Sequence, residues 1–106
     1  MGITVDLVYG TTAPQVFQAL VNDAANDYTA HTVAMVVRDR YNRPVTVTGT
    51  VTWTDVTIGT WQYTPDGQLT DVLSPYQVRA QITDSVGDVL FTPNHEDTDT
   101  WYIRNL

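Results

Sequence analysis

The densest group of possible metal ligands in this sequence is the run His95-Glu96-Asp97-Thr98-Asp99. Carboxylate oxygens at alternate positions are ligands with which proteins hold Ca²⁺. A dedicated calcium loop also needs a glycine turn and a second set of ligands, and this segment contains neither. We therefore interpret residues 95–99 as a solvated acidic loop, and we predict no metal and no cofactor.

Few residues suit nucleophilic catalysis. Ser74 precedes a proline and Ser85 lies in a predicted turn, so neither serine occupies a G-x-S-x-G elbow. The chain has no cysteine, which removes thiolate nucleophiles, disulfides and thiolate zinc sites. His31 is far in sequence from any activated nucleophile. We predict that the protein is not an enzyme.

The net charge narrows the choice of partners. Twelve acids against five bases give a formal charge of −7. Such a surface repels phosphate backbones and anionic lipids, so we predict neither nucleic acid nor membrane as a partner. The sequence also lacks an apolar run of the ~20 residues needed to span a bilayer.

The few basic residues are concentrated in one place. All five bases are arginines, and three of them lie within six residues, beside a tyrosine. Arginine is the base favoured in protein interfaces. This patch either binds the acidic segment of a neighbouring copy or is a solvated charged turn, and the sequence leaves both interpretations open. The candidate partner-binding residues are Arg38, Arg40, Tyr41 and Arg43 in the patch, and Glu96, Asp97 and Asp99 in the acidic segment.

Thr and Val are abundant in this sequence, and both favour β-strands. We therefore expect strands to position the side chains named above. Residues 45–54 read VTVTGTVTWT and alternate strictly. We predict one continuous strand here, with the valines and Trp53 facing inward. The opposite face is a row of threonines with no lysine to block edge pairing, so it is either ordinary surface or a docking surface. Its candidate partner-binding residues are Thr46, Thr48, Thr50 and Thr52.

The same alternation predicts further strands. The clearest runs from Tyr76 to Thr83, and shorter ones are expected near residues 3–9, 33–37, 61–63 and 101–103. Polar turns at 39–44 and 84–88 predict two hairpins. Residues 14–21 fit a short helix or a strand, and we favour a strand. Residues 68–73 are expected to form one helical turn.

Strands spaced about every ten residues predict an all-β sandwich of about seven strands. The sequence shows no linker and no repeat, so residues 1–106 are predicted to form a single domain. Trp53 and Trp61 lie on the apolar faces of their strands. This favours a place in the core over an exposed platform for stacking sugars.

A succession of short motifs resembles a known family. In order they are YGTTAP at 9–14, AMVVRD at 34–39, PVTVTG at 44–49, GTWQY at 59–63, PYQVRA at 75–80 and ITDSVG at 82–87, followed by Pro93 and WYI at 101–103. Together they resemble the N-terminal domain family of phage upper baseplate proteins, over nearly the whole chain. The resemblance implies an Ig-like antiparallel β-sandwich.

The resemblance also implies a role. It suggests a structural component of a tailed-phage virion, an accessory protein of the tail or baseplate that acts through contacts with other virion structural proteins. It further suggests a homo-oligomer or multiple copies on the particle. One alternative is a capsid decoration protein of the phage head. An alternative of another class is a carbohydrate-binding or adhesive module.

Overall fold

The computed structural model describes residues 3–21, 24–93 and 98–105. Within these ranges the protein is built of strands and contains no helix, and so no helix that is long and apolar enough to cross a membrane. The strands are β1 (Thr4–Val8), β2 (Gln15–Gln18), β3 (Leu20–Val21), β4 (Ala24–Ala25), β5 (Thr32–Arg38), β6 (Pro44–Val45), β7 (Thr50–Asp55), β8 (Thr60–Thr64), β9 (Tyr76–Thr83), β10 (Val89–Thr92) and β11 (Asp99–Arg104).

Two sheets pack face to face as a β-sandwich, which confirms the predicted all-β fold. The larger sheet has the order β1-β11-β9-β5-β6, and β10 pairs with β9 beside β11. The smaller sheet has the order β2-β8-β7, and β3 and β4 form a separate short hairpin. The predicted hairpins are confirmed between β5 and β6 and between β9 and β10. We expected a wholly antiparallel sandwich. One pair departs from this expectation, because β1 runs parallel to β11.

The predicted alternation of β9 builds the centre of the core. Its inward residues Tyr76, Val78, Ala80 and Ile82 are buried, and the residues between them are half-buried. Trp61 and Tyr63 of β8 and Trp101 of β11 are buried between the sheets. Phe17 joins the two layers, since its ring centre lies 4.9 Å from that of Trp61 and 5.1 Å from that of Trp101.

Residues 45–54 do not form one strand, which corrects the prediction from their pattern. β6 pairs with β5 in the larger sheet, whereas β7 pairs with β8 in the smaller sheet. The chain crosses between the sheets at residues 46–49. There the Gln68 side chain accepts a hydrogen bond from the Thr48 backbone N–H (2.8 Å) and donates one to the Thr46 carbonyl. A glutamine side chain thus takes the place of a neighbouring strand.

The structure tests two further predictions of local structure, one for residues 14–21 and one for residues 68–73. Residues 15–18 form β2, so the preference for a strand over a helix is confirmed. The helical turn expected at residues 68–73 is wrong. Side chains from outside this segment accept its backbone N–H groups and hold it in an irregular path. Asp66 Oδ1 accepts from Gln68 N (3.1 Å), and the Tyr76 hydroxyl accepts from Thr70 N (2.9 Å).

Candidate interaction surface

The predicted basic patch lies in the turn between β5 and β6, and we call residues 38–43 the arginine hairpin. One buried carboxylate organises it. Asp39 is only 5% exposed, its Oδ1 accepts from the backbone N–H groups of Tyr41 (2.8 Å) and Arg43 (3.1 Å), and its Oδ2 accepts from Arg43 Nε (3.0 Å). An aspartate that bonds to N–H groups two and four residues later fixes the path of a turn.

The backbone of the arginine hairpin is held at both ends. Asp39 N donates to the Arg43 carbonyl (3.0 Å), and Asn42 N donates to the Asp39 carbonyl (2.9 Å). Asn42 has a φ of 61°, the left-handed conformation that asparagine tolerates better than most residues. Arg40 N donates to the Leu73 carbonyl (2.9 Å), which ties the hairpin to the crossing that precedes β9.

Hydrogen bonds also shift the pKa of the organising carboxylate. Burial acts to raise the pKa of Asp39, but the hydrogen bonds from Arg43 and Tyr41 outweigh it and hold the pKa below the ordinary value of 3.8. Asp39 is therefore ionised at neutral pH, and its charge offsets that of the adjacent Arg43 guanidinium.

The tip presents an aromatic ring together with cations. Tyr41 is 61% exposed, and the guanidinium carbons of Arg40 and Arg43 lie 5.3 Å and 5.0 Å from its ring centre. These distances are typical of cation–π contacts, which order the ring and the guanidinium groups together. Arg38 Nη1 donates to the Asn42 carbonyl (2.9 Å). The tip can thus offer a carboxylate several planar N–H donors beside an apolar surface.

An exposed apolar residue precedes the residue whose carbonyl binds Arg40, and no pattern in the sequence singles it out. Val72 is 69% exposed, next to the Leu73 carbonyl that holds Arg40. Asp39 was likewise missed as the organiser. Its signal was the spacing Asp39-x-Tyr41-x-Arg43, which is that of an aspartate bonding forward to backbone N–H groups.

The threonine row is on the surface, as its pattern predicts. Thr46, Thr48, Thr50 and Thr52 are all exposed. The first two lie in the crossing between the sheets, where Thr48 Oγ1 donates to Asp66 Oδ2 (2.6 Å). The other two lie on β7, at one edge of the smaller sheet. The structure therefore separates the predicted row into a crossing and an edge strand.

The acidic segment is described only at its end. Glu96 and Asp97 lie outside the described residues, together with His95. Asp99 is half-buried, and its Oδ1 accepts a hydrogen bond from Ile3 N (2.8 Å). Burial raises the pKa of this carboxyl. Asp99 therefore joins the segment before β1 to β11, and its pairing with the arginine hairpin of a neighbour stays a prediction.

A recess of about 20 Å³ is lined by Leu7, Tyr63 and Leu69, among others, and such a volume holds about one water molecule. Among the residues with described positions, no three His, Asp or Glu side chains lie close enough to hold a metal ion.

Comparison of this chain with protein-family models, with curated proteins and with solved structures finds no match. The function has to be inferred from the arginine hairpin, the exposed strand edge and the chemistry of their side chains.

Proposed function

We propose that this chain is a structural protein of a tailed-phage virion, an Ig-like domain of the tail or baseplate that works by protein contact rather than by catalysis. The observation that carries the proposal is the arginine hairpin. A buried carboxylate and a set of backbone hydrogen bonds hold its loop in one shape. Loops that are ordered in advance lose less entropy on binding, which suits a contact-making surface.

The strand order supports the Ig-like assignment. In that fold one sheet contains the third, sixth and seventh main strands and the other contains the second, fifth and fourth. Here β5, β9 and the successive β10 and β11 correspond to the first set, and β2, β8 and β7 to the second. The hydrogen bond from Thr70 N to the Tyr76 hydroxyl (2.9 Å), at the start of β9, also has the form of the tyrosine corner of Ig-like domains.

The chemistry of the hairpin favours an acidic protein surface as its partner. Arginine and tyrosine, together with tryptophan, are enriched among the residues that dominate interface energies. Carboxylates of the partner would accept hydrogen bonds from the guanidinium groups of Arg40 and Arg43 while its apolar atoms cover Tyr41 and Val72. We propose that the partners are other virion structural proteins.

The resemblance to the upper baseplate family supplies the setting, namely the virion. A small domain repeated around a particle makes several contacts of modest area, and their combined strength far exceeds that of each one. A carbohydrate-binding or adhesive module would instead need exposed aromatic faces. Trp61 and Trp101 are only 3% and 0% exposed, so both contribute to the core.

Mass spectrometry of gradient-purified particles of the source phage tests the setting. We expect peptides of this chain in the particle, enriched in isolated tails over isolated heads. Its absence from the particle would overturn the proposal. Enrichment in heads would replace it with the capsid decoration alternative.

Replacement of two arginines by alanine tests whether the arginine hairpin binds the particle. We expect the double variant Arg40→Ala/Arg43→Ala to bind purified tails lacking this protein at least about tenfold more weakly, because truncation of a central interface arginine costs roughly 2 kcal/mol or more. The matched control is Arg104→Ala, which removes an arginine charge outside the hairpin, together with an exposed ion pair with Asp6 and a cation–π contact with Tyr102. Equal affinity of the double variant and the wild type would contradict a role for the hairpin.

A further inference from the structure

We propose that two copies of this chain associate by antiparallel pairing of their β7 strands, which would join two three-stranded sheets into one six-stranded sheet. The inference deepens the proposed function and takes from it only the expectation of multiple copies. β7 is an edge of the smaller sheet, since the described strands pair with it only through β8. An edge strand presents unpaired backbone N–H and C=O groups on which another strand can add.

Three other edges, those of β1, β2 and β6, carry features that hinder such pairing. β1 has Asp6 on its exposed face, in an ion pair with Arg104. β2 follows Pro14 closely, and β6 begins with Pro44 and has two residues. Charges, prolines and short length are the devices by which proteins protect sheet edges. β7 reads TVTWTD, has no proline, and carries its one charge, Asp55, at its last position.

The part of β5 that extends past β6 is contacted by β7 only at its beginning. Trp53 of β7 lies against its beginning, where the indole N–H donates to the His31 carbonyl (2.9 Å). A register shift follows Trp53 in the pairing of β7 with β8. The regular open stretch of β7 is therefore Thr50–Trp53.

The side chains of this stretch suit a second copy of the same strand. Antiparallel neighbours place residues of the same face opposite each other. Pairing centred on Thr52 sets Thr52 opposite its own equivalent on the outer face, and Val51 opposite Trp53 on the inner face. Threonine pairs and aromatic pairs with β-branched residues are favourable cross-strand neighbours. Val51 and Trp53 are half-buried in the single chain, so the partner strand would cover them further.

Charge points to the same arrangement. The chain carries −7, so most surfaces of two copies repel each other. Residues 50–54 are uncharged, and the antiparallel direction keeps the two Asp55 side chains at opposite ends of the paired strands. A parallel arrangement would instead bring these carboxylates side by side. Added salt should strengthen the pairing, because it screens the remaining repulsion.

A cysteine at position 52, where each strand meets its own equivalent residue, reports the pairing directly, since the chain has no cysteine of its own. We expect Thr52→Cys to form a disulfide-linked dimer under mild oxidation at least about tenfold faster than Thr32→Cys, because opposed residues in a pair are held at high effective concentration. Thr32 is an exposed strand threonine on the other sheet, which makes it a matched control. Equal rates for the two variants would overturn the proposal.

Sedimentation equilibrium of the purified chain supplies the second test. We expect concentration-dependent doubling of the mass that strengthens from about 0.1 M to about 1 M NaCl, where the Debye length falls from ~10 Å to ~3 Å. Thr52→Lys should abolish it, whereas Thr32→Lys and Arg40→Ala/Arg43→Ala should retain it. A monomer at every concentration, or a dimer that survives Thr52→Lys, would overturn strand pairing. Either result is independent of whether the protein occurs in the particle.

Discussion

Two buried tyrosine hydroxyls differ in their surroundings. The Tyr76 hydroxyl accepts a hydrogen bond from Thr70 N (2.9 Å), while the Tyr63 hydroxyl has no hydrogen-bond partner among the residues that the structure describes. Burial, followed by the nearby Asp66 charge, raises the pKa of Tyr63 to about 12, so this hydroxyl stays neutral at physiological pH. Comparison of these two hydroxyls measures how much the hydrogen bond of Tyr76 contributes to the free energy of unfolding.

We expect Tyr76→Phe to lower the free energy of unfolding by about 1–3 kcal/mol, because it leaves the Thr70 N–H without its acceptor. Tyr63→Phe is the control, and it should leave stability unchanged or raise it, since it removes a buried polar group that makes no hydrogen bond. Urea unfolding followed by tryptophan fluorescence measures both. Equal losses in the two variants would contradict the role assigned to the Tyr76 hydroxyl.

A second residue-scale prediction concerns Asp39 and pH. Its pKa is lowered in the folded protein relative to 3.8, so the ionised form stabilises the fold above that value, and this contribution is lost as the pH falls through the folded-state pKa. Asp39→Asn should therefore be less stable than the wild type by a constant amount above about pH 5, and the difference should shrink below about pH 4. Urea midpoints between pH 3 and pH 7 measure it, and a difference that grows toward acid would contradict this account.

Sequence reasoning reached the arginines of the candidate surface but missed the residue that shapes them. Arg38, Arg40 and Arg43 stand out because bases are few in this chain. Asp39 does not stand out among so many aspartates, and its burial depends on how the hairpin packs. The same holds for Val72, which joins the surface only through the contact of Arg40 with Leu73.

At the scale of elements, alternation predicts which residues face inward but not which sheet they join. The valines of residues 45–54 point inward on both sides of Gly49, so the pattern continues unbroken while the chain changes sheets. The change depends on contacts with Tyr63, Thr64 and Gln68, which lie later in the sequence. The pairing of β1 with β11 was missed for a similar reason, because Thr4 meets Thr100 from the opposite end of the chain.

The crossing makes a prediction about Gly49. A Cβ at this position would lie 2.5 Å from Tyr63 Cε1 and 2.6 Å from the Thr64 carbonyl oxygen. We expect Gly49→Ala to cost at least about 1–3 kcal/mol of stability, the usual cost of overpacking. The control is Gly67→Ala, at a φ of 86° with no atom within 4 Å, where only backbone strain of roughly 1 kcal/mol applies. Thermal unfolding ranks the two, and a smaller loss at Gly49 would contradict the close packing.

At the scale of the whole molecule, charge is unevenly placed. Three of the five arginines lie in the arginine hairpin, at one end of the sandwich, while the net charge is −7. An excess of like charge destabilises a compact state through self-repulsion. The ion pair of Arg104 with Asp6 is exposed, and such pairs contribute little.

We therefore expect the melting temperature to rise as NaCl increases from about 0.02 M to about 0.5 M, since screening relieves the repulsion. Differential scanning calorimetry at a protein concentration too low for association measures it. The same series with Na₂SO₄ at equal ionic strength separates screening from the effect of excluded salts on burial. A fall in melting temperature would mean that attractive pairs, such as that of Asp39 with Arg43, outweigh the repulsion.

The parallel pairing of β1 with β11 has a mechanical consequence. Thr4 lies beside Thr100, and Val8 lies beside Arg104. A force that pulls Thr4 and Arg104 apart acts along the two strands in opposite directions. It shears the hydrogen bonds of the ladder together instead of peeling them one at a time. Between Ala80 and Thr92, the open end of the β9–β10 hairpin, the same force would unzip the pair. Loaded from Thr4 and Arg104, the domain should act as a stiff link, whose lifetime under tension is set by its unfolding rate.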